Sequence, residues 1–188
     1  MTKTNTMITS NDLISELKIR VQKHIQISKT FLMLSEKTLQ SKISDKSWSV
    51  LECLQHLNLY GGFYIPEIEK KMNASSSKKE TYFKSGLLGN KFAMDMLPKE
   101  QMKTMNTFKS KNPIHSNLEK DIVILEFINQ QEKFLELLSI ASEKNLSKIK
   151  TSITIPLLKF RLGDTFRFVI YHNERHIVQA QNVLKSLN

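Results

Sequence analysis

Three histidines are the residues best suited to chemistry in this chain: His56, and the pair His172 and His176 in the run Tyr171-His172-Asn173-Glu174-Arg175-His176. Residues four apart on a helix share one face, with Cβ atoms roughly 5–6 Å apart, the separation at which two imidazoles can grip one metal ion. His56 lies far away in sequence and could supply a third nitrogen. Three neutral nitrogen ligands leave a divalent cation with open coordination positions, as catalytic metal sites require. An isolated pair at this spacing is common on helices, and ordinary surface or core packing accounts for most such pairs.

The neighbouring residues have plainer explanations. The zincin pattern HExxH is absent, because Asn173 follows His172, so no helix-borne glutamate base is in place. Glu174 falls between the two histidines and should point away from their face. Glu52 precedes His56 by one turn and could orient its imidazole, but its capping-box position explains it without any such role, and that is the favoured reading. Cys53 reads as a small buried hydrophobe. Gln179 could bond a histidine or serve packing. His24 and His115 have no partner at ligand spacing, and Trp48 is expected to staple the start of a helix.

The elements that must position these residues are helical. Apolar residues recur at Leu13, Leu17, Val21, Ile25, Phe31 or Leu32, and Leu39, which predicts one long helix from Asn11 to about Leu39, with Ser10 and Asn11 as capping candidates. Ser49-Val50-Leu51-Glu52 predicts a capping box opening a second helix, with a bend or irregular turn near Gly61-Gly62 and Pro66. Residues 73 to 113, with their serines, glycines and prolines, read as a long irregular connection. Such a connection could line a pocket with Tyr82, Phe83, Leu87, Leu88, Phe92 and Met94. Ser116-Asn117-Leu118-Glu119 predicts a second capping box and a helix to about Ser142, burying Leu118, Ile122, Leu125, Ile128, Leu135 and Leu138. Ile153-Thr154-Ile155-Pro156 reads as an extended connector rather than a paired strand. A fourth helix is expected after Gly163, capped by Asp164 and running to about Leu187. These elements predict an all-α chain, a four-helix bundle with a long irregular connection between helices two and three.

Composition narrows the function classes. At 188 residues and 40% hydrophobic content, residues 1–188 suit a single domain. The polar start Met1-Thr2-Lys3-Thr4-Asn5-Thr6 carries no secretory apolar region, and no apolar run approaches a membrane span, so a cytoplasmic, non-membrane protein is expected. One cysteine excludes an internal disulfide framework and multi-thiolate zinc sites. The formal charge of +10 invites a nucleic-acid reading. Only Arg20, Arg161, Arg167 and Arg175 are arginines, however, and no nucleic-acid motif accompanies the scattered lysines, so no nucleic-acid partner is expected.

Trp48-Ser49, Glu52 and His56-Leu57, followed far downstream by Gly163, His172, Arg175-His176 and Gln179-Ala180, resemble the DinB-like (YfiT-like) superfamily over nearly the whole chain. The order of a helix-two histidine and a helix-four HxxxH is more specific than either motif alone. The resemblance implies a four-helix bundle, often a homodimer, in which the positions matching His56, His172 and His176 bind a divalent metal such as nickel or zinc, with iron or manganese as alternatives. Some members look like S-transferases using bacillithiol or mycothiol, and others resemble metal-dependent isomerases or hydrolases. The damage-inducible label implies neither a polymerase nor DNA binding. The leading expectation is a metal-dependent enzyme joining a low-molecular-weight thiol to an electrophilic small-molecule substrate. A hydrolase using metal-bound water is the alternative from the same site, and a non-catalytic ligand- or partner-binding bundle is the alternative from another class.

Overall fold

Hydroxyl caps set the first helices. In the computed structural model, which describes residues 8–99 and 106–187, the Thr9 Oγ1 accepts from the Asp12 N–H and opens α1, Ser10–Leu32. The polar run Met1–Thr6 lies outside these residues. The predicted helix to Leu39 is two helices, because the chain turns at Met33 and Leu34, and Ser35 caps a separate α2, Glu36–Gln40. Phe31 and Leu39 are both buried, which is why the apolar rhythm reads as unbroken across that turn.

The capping box at Ser49 and Glu52 forms in both directions and starts α3, Val50–Asn73. No irregular turn interrupts it at Pro66. The carbonyl that a proline deprives of its partner, and crowds with its ring, belongs to the residue four before it, here Gly62. Gly62 and Pro66 both face solvent, and nothing lies within 4 Å of where a Gly62 Cβ would sit, so water can take over the lost bond.

The connection that follows is more ordered than expected. Tyr82–Phe83 (β2) pairs antiparallel with Ile8–Thr9 (β1), and Leu87–Met96 forms a further helix, α4, packed on the last helix of the chain. A 3-10 turn covers Lys109–Lys111. The second predicted capping box does not form: Ser116 is spent in a turn on the Pro113 carbonyl, and α5, Lys120–Ala141, starts after Glu119 without a side-chain cap. Its buried stripe is Val123, Ile124, Phe127, Ile128, Phe134, Leu137 and Leu138, so the expected Ile122 and Leu125 are exposed.

Around the predicted connector a hairpin forms, Lys150–Ser152 (β3) with Lys159–Arg161 (β4), leaving Ile153 to Leu158 as its loop. The last helix, α6, Leu162–Leu187, begins two residues earlier than predicted. The Leu162 and Gly163 N–H groups donate to the Ile149 and Leu146 carbonyls at 2.9 and 3.1 Å, so backbone acceptors do the work expected of an Asp164 cap. The Asp164 carboxylate instead ties the α4 entry to α6, accepting from Ser85 Oγ, from the Gly86 N–H at 2.7 Å and from Arg167.

The described chain is predominantly helical. Among its long helices, α1 packs on α5 and α6, and α3 packs on the same two. Their buried apolar residues form one contiguous cluster. No described helix is long and apolar enough to cross a membrane.

Candidate metal centre

His56 sits about two turns into α3 and His172 and His176 one turn apart on α6, so the packing of α3 on α6 decides whether they meet. They do. His172 Nε2 lies 3.2 Å from His56 Nε2 and 3.1 Å from His176 Nε2, and one nitrogen from each ring falls within 4.8 Å of both others. His56 and His172 are buried and His176 is half-buried.

The opposite ring nitrogens explain why this convergence suits a cation. His56 Nδ1 lies 2.6 Å from the Lys111 carbonyl, which can only accept, so Nδ1 carries the proton and Nε2 a lone pair. His176 Nδ1 lies 2.9 Å from Gln179 Oε1, which fixes the same tautomer there. Among the described residues, the buried His172 Nδ1 has no hydrogen-bond partner, so none of them anchors its ring in that way. Desolvation is the largest force on all three and disfavours their cationic forms. It drives His56 down to about 4, opposed by the Lys111 carbonyl, and holds His172 and His176 well below their ordinary range, helped by neighbouring positive charge that includes Arg175. Two pinned lone pairs and a third neutral ring, aimed at one point, form a donor set that fits a divalent ion.

Aromatic rings hold the imidazoles in place. The Trp48 ring is 4.6 Å from His56 and 5.5 Å from His176, and its Nε1 donates to Asn112 Oδ1 at 3.2 Å. Tyr60, one turn beyond His56, packs 4.9 Å from His56 and 4.7 Å from His172, and Phe168 stacks nearly parallel to His172. Trp48 is thus part of the site rather than only a helix staple. The histidines open on a cavity of about 1070 Å³. Of the connection residues expected to line a pocket only Phe92 does so, joined by Met96 from α4 and by Asn106 to Phe108. Tyr82, Leu87, Leu88 and Met94 are exposed, and Phe83 is buried so close to Gly163 that a Cβ there would lie 2.4 Å from its ring. Another depression, about 400 Å³ beside Lys71, Ser75 and Lys150, lies roughly 20 Å along α3 and holds no histidine.

The remaining candidates separate from the cluster. Glu52 is 3% exposed, but its carboxylate accepts from the Ser49 and His115 backbone N–H groups and from Lys42 Nζ at 2.6 Å, leaving the orientation of His56 to Lys111. His115 itself is exposed. Cys53 is buried, its thiol pushed up by desolvation, and lies outside the ligand group. Glu174 points to α1, where it pairs with Arg20. His24 is buried beside Gln131 and driven down to about 3 by desolvation. Tyr60 and Arg175 were open to detection, since they stand four residues after His56 and three after His172. The Lys111 carbonyl was not, because any residue supplies one.

No curated protein and no solved structure matches the chain. A family model described as the DinB superfamily matches residues 26–180, a span that holds all three histidines, Trp48, Lys111 and Gln179. By that match the chain belongs to the DinB superfamily.

Proposed function

We propose that this chain is a cytoplasmic metal-dependent enzyme in which His56, His172 and His176 hold one divalent ion, nickel or zinc before iron or manganese, and which transfers a low-molecular-weight thiol to an electrophilic small molecule. The observation that carries the proposal is the meeting of three neutral imidazoles through Nε2, two of them with the tautomer fixed from behind. Membership of the DinB superfamily supports it. The mutual packing of α1, α3, α5 and α6 supports a four-helix bundle in one domain, and a homodimer completes the proposal.

A dication held by neutral ligands keeps its charge and would lower the pKa of a thiol or water that it meets. The chain's own groups do the rest. The cavity is at the upper end of the usual range for small-ligand sites, large enough for a thiol and its acceptor together. Phe92, Met96 and Phe168 give it an apolar wall that limits water. Burial raises Tyr60 above its ordinary pKa, so its hydroxyl stays protonated at neutral pH and can donate a hydrogen bond.

Gln179→Ala should weaken metal affinity by about 10- to 100-fold, the usual cost of removing the group that orients a ligating histidine. Competition against a chromophoric chelator measures it, and unchanged affinity would show that Gln179 does not set the His176 ring.

The activity itself is tested with protein loaded with nickel or zinc, by following 1-chloro-2,4-dinitrobenzene with bacillithiol, cysteine or glutathione, and p-nitrophenyl acetate without thiol. Thiol-dependent conjugation that disappears in His172→Ala is the expected result. Ester turnover without thiol would replace the transferase by a hydrolase. Neither activity, with no stoichiometric metal, would leave a non-catalytic binding bundle.

A further inference from the structure

The segment that brings the Lys111 carbonyl to His56 runs along α3 in the opposite direction and is fastened to it in steps. The His115 N–H donates to Glu52 Oε1 at 2.9 Å, the Lys111 carbonyl meets His56 Nδ1 at 2.6 Å, and about one turn further on the Lys111 ammonium donates to the Leu59 carbonyl, also at 2.6 Å. The same ammonium lies 5.6 Å from the centre of the Tyr60 ring. His56 is thereby bracketed, and one residue makes both the contact on its ring and the contact beyond it.

The side-chain contact costs something to hold. Lys111 is half-buried and desolvation disfavours its charge, whereas a lysine ordinarily keeps its head in water. Its ammonium instead turns onto a carbonyl inside α3, which has a second lone pair to offer, and a charge-assisted bond of this kind is roughly twice as strong as a neutral one. The Leu59 carbonyl is fixed by its helix, so the tether opposes any withdrawal of the Lys111 backbone from His56. The charge itself works against the site, because it disfavours a positive charge on His56. Electrostatics gives no reason for an ammonium beside a cation site, and position does.

We infer that Lys111 is a positioning residue of the metal centre: its ammonium, moored on the Leu59 carbonyl, holds its own carbonyl against His56 and so keeps the His56 Nε2 lone pair turned to the point shared with His172 and His176. This rests on the reading of the three histidines as a metal centre and adds the side chain that keeps one of them in its binding form. Without the carbonyl, the His56 proton is free to sit on either nitrogen, and a ring protonated at Nε2 cannot ligate there.

The test reads the rings directly. Histidine nitrogens are labelled with 15N, metal is stripped, and long-range proton–nitrogen correlation spectra show which nitrogen of each ring carries the proton, each ring being assigned by its alanine variant. The wild type should show His56 protonated at Nδ1. Lys111→Met, which keeps the stem and loses the ammonium, should shift the proton wholly or partly to Nε2 and weaken zinc binding, measured against a chromophoric chelator, by about tenfold or more. Lys111→Arg should restore much of both. His176, whose Nδ1 faces Gln179, should keep its pattern throughout and serves as the internal control. Lys111→Gln, a milder change, takes the place of Lys111→Met if that variant does not fold. A wild-type His56 protonated at Nε2, a His56 pattern unchanged by loss of the ammonium, or an equal change at His176 would overturn the inference. Tighter zinc binding with an unchanged His56 pattern would do so too, and would leave Lys111 a mere electrostatic neighbour. The spectra need no metal, so they decide the role of Lys111 by themselves, whereas failure of the wild type to bind zinc or nickel counts against the metal centre alone.

Discussion

His172→Ala should take the protein from about one divalent ion per chain to less than about 0.1, the largest effect expected of any single substitution here. His172 is the middle member of the group, its Nε2 within 3.2 Å of both partners' nitrogens, so its loss leaves only two of the three imidazoles around the shared point. Removing an orienting neighbour of a ligand typically costs 10- to 100-fold in affinity, and removing the ligand itself must cost more. His56→Ala should behave alike, because it takes away the one member of the proposed ligand set that α3 supplies. Elemental analysis of tag-free protein purified without chelator provides the measurement. Stoichiometric metal in folded His172→Ala would place the ion elsewhere.

The second large effect is acid sensitivity. His24, His56, His172 and His176 are all held neutral well below the ordinary histidine value of about 6.5, His24 near 3 and His56 near 4. In the unfolded chain each would take up a proton as the pH falls through 6.5, while in the folded chain it resists until its own lower pKa. Their burial therefore costs nothing above about pH 7, and stability drains away as the pH drops from 6.5 towards 4. Each independently titrating site loses about 1.4 kcal/mol per pH unit over that interval. His24 alone would remove about 2 kcal/mol by pH 5, a large share of the 5–15 kcal/mol that holds a typical domain. Denaturant midpoints of metal-free protein at pH 7 and pH 5 should differ clearly, and His24→Leu should narrow the gap. A midpoint independent of pH across that range would mean that the histidines are less desolvated than their positions indicate.

The parts of the site legible in the sequence were those governed by local rules. The Ser49 to Glu52 capping box sets the register of α3, and the four-residue spacing puts His172 and His176 on one face of α6. The apolar period was also readable, but it misjudged α5, where Val123 and Ile124 are buried and Ile122 and Leu125 are not. Mean periodicity cannot choose between adjacent stripes when both are apolar. Two helix starts escaped detection for different reasons: Ser116 was diverted into a local turn on the Pro113 carbonyl, and the first N–H groups of α6 found carbonyls of the segment before the hairpin, more than ten residues away. The helix at Leu87–Met96 went unseen because its glycine and exposed apolar residues obscure a period that only packing on α6 makes useful. Lys111 was beyond reach, since its contribution to His56 is a main-chain oxygen.

His56 and His172 stand 116 positions apart, yet their nitrogens nearly touch. No local segment or nascent helix can assemble the set, so an ion bound there would be a ligand of the native topology alone. Its capture would act as a thermodynamic latch: at a free concentration a hundred times its dissociation constant it would add about 2.7 kcal/mol to global stability, with no new contact in the core. Metal supply would then govern how long each molecule stays folded, and a chain starved of metal would be the one most readily opened and degraded.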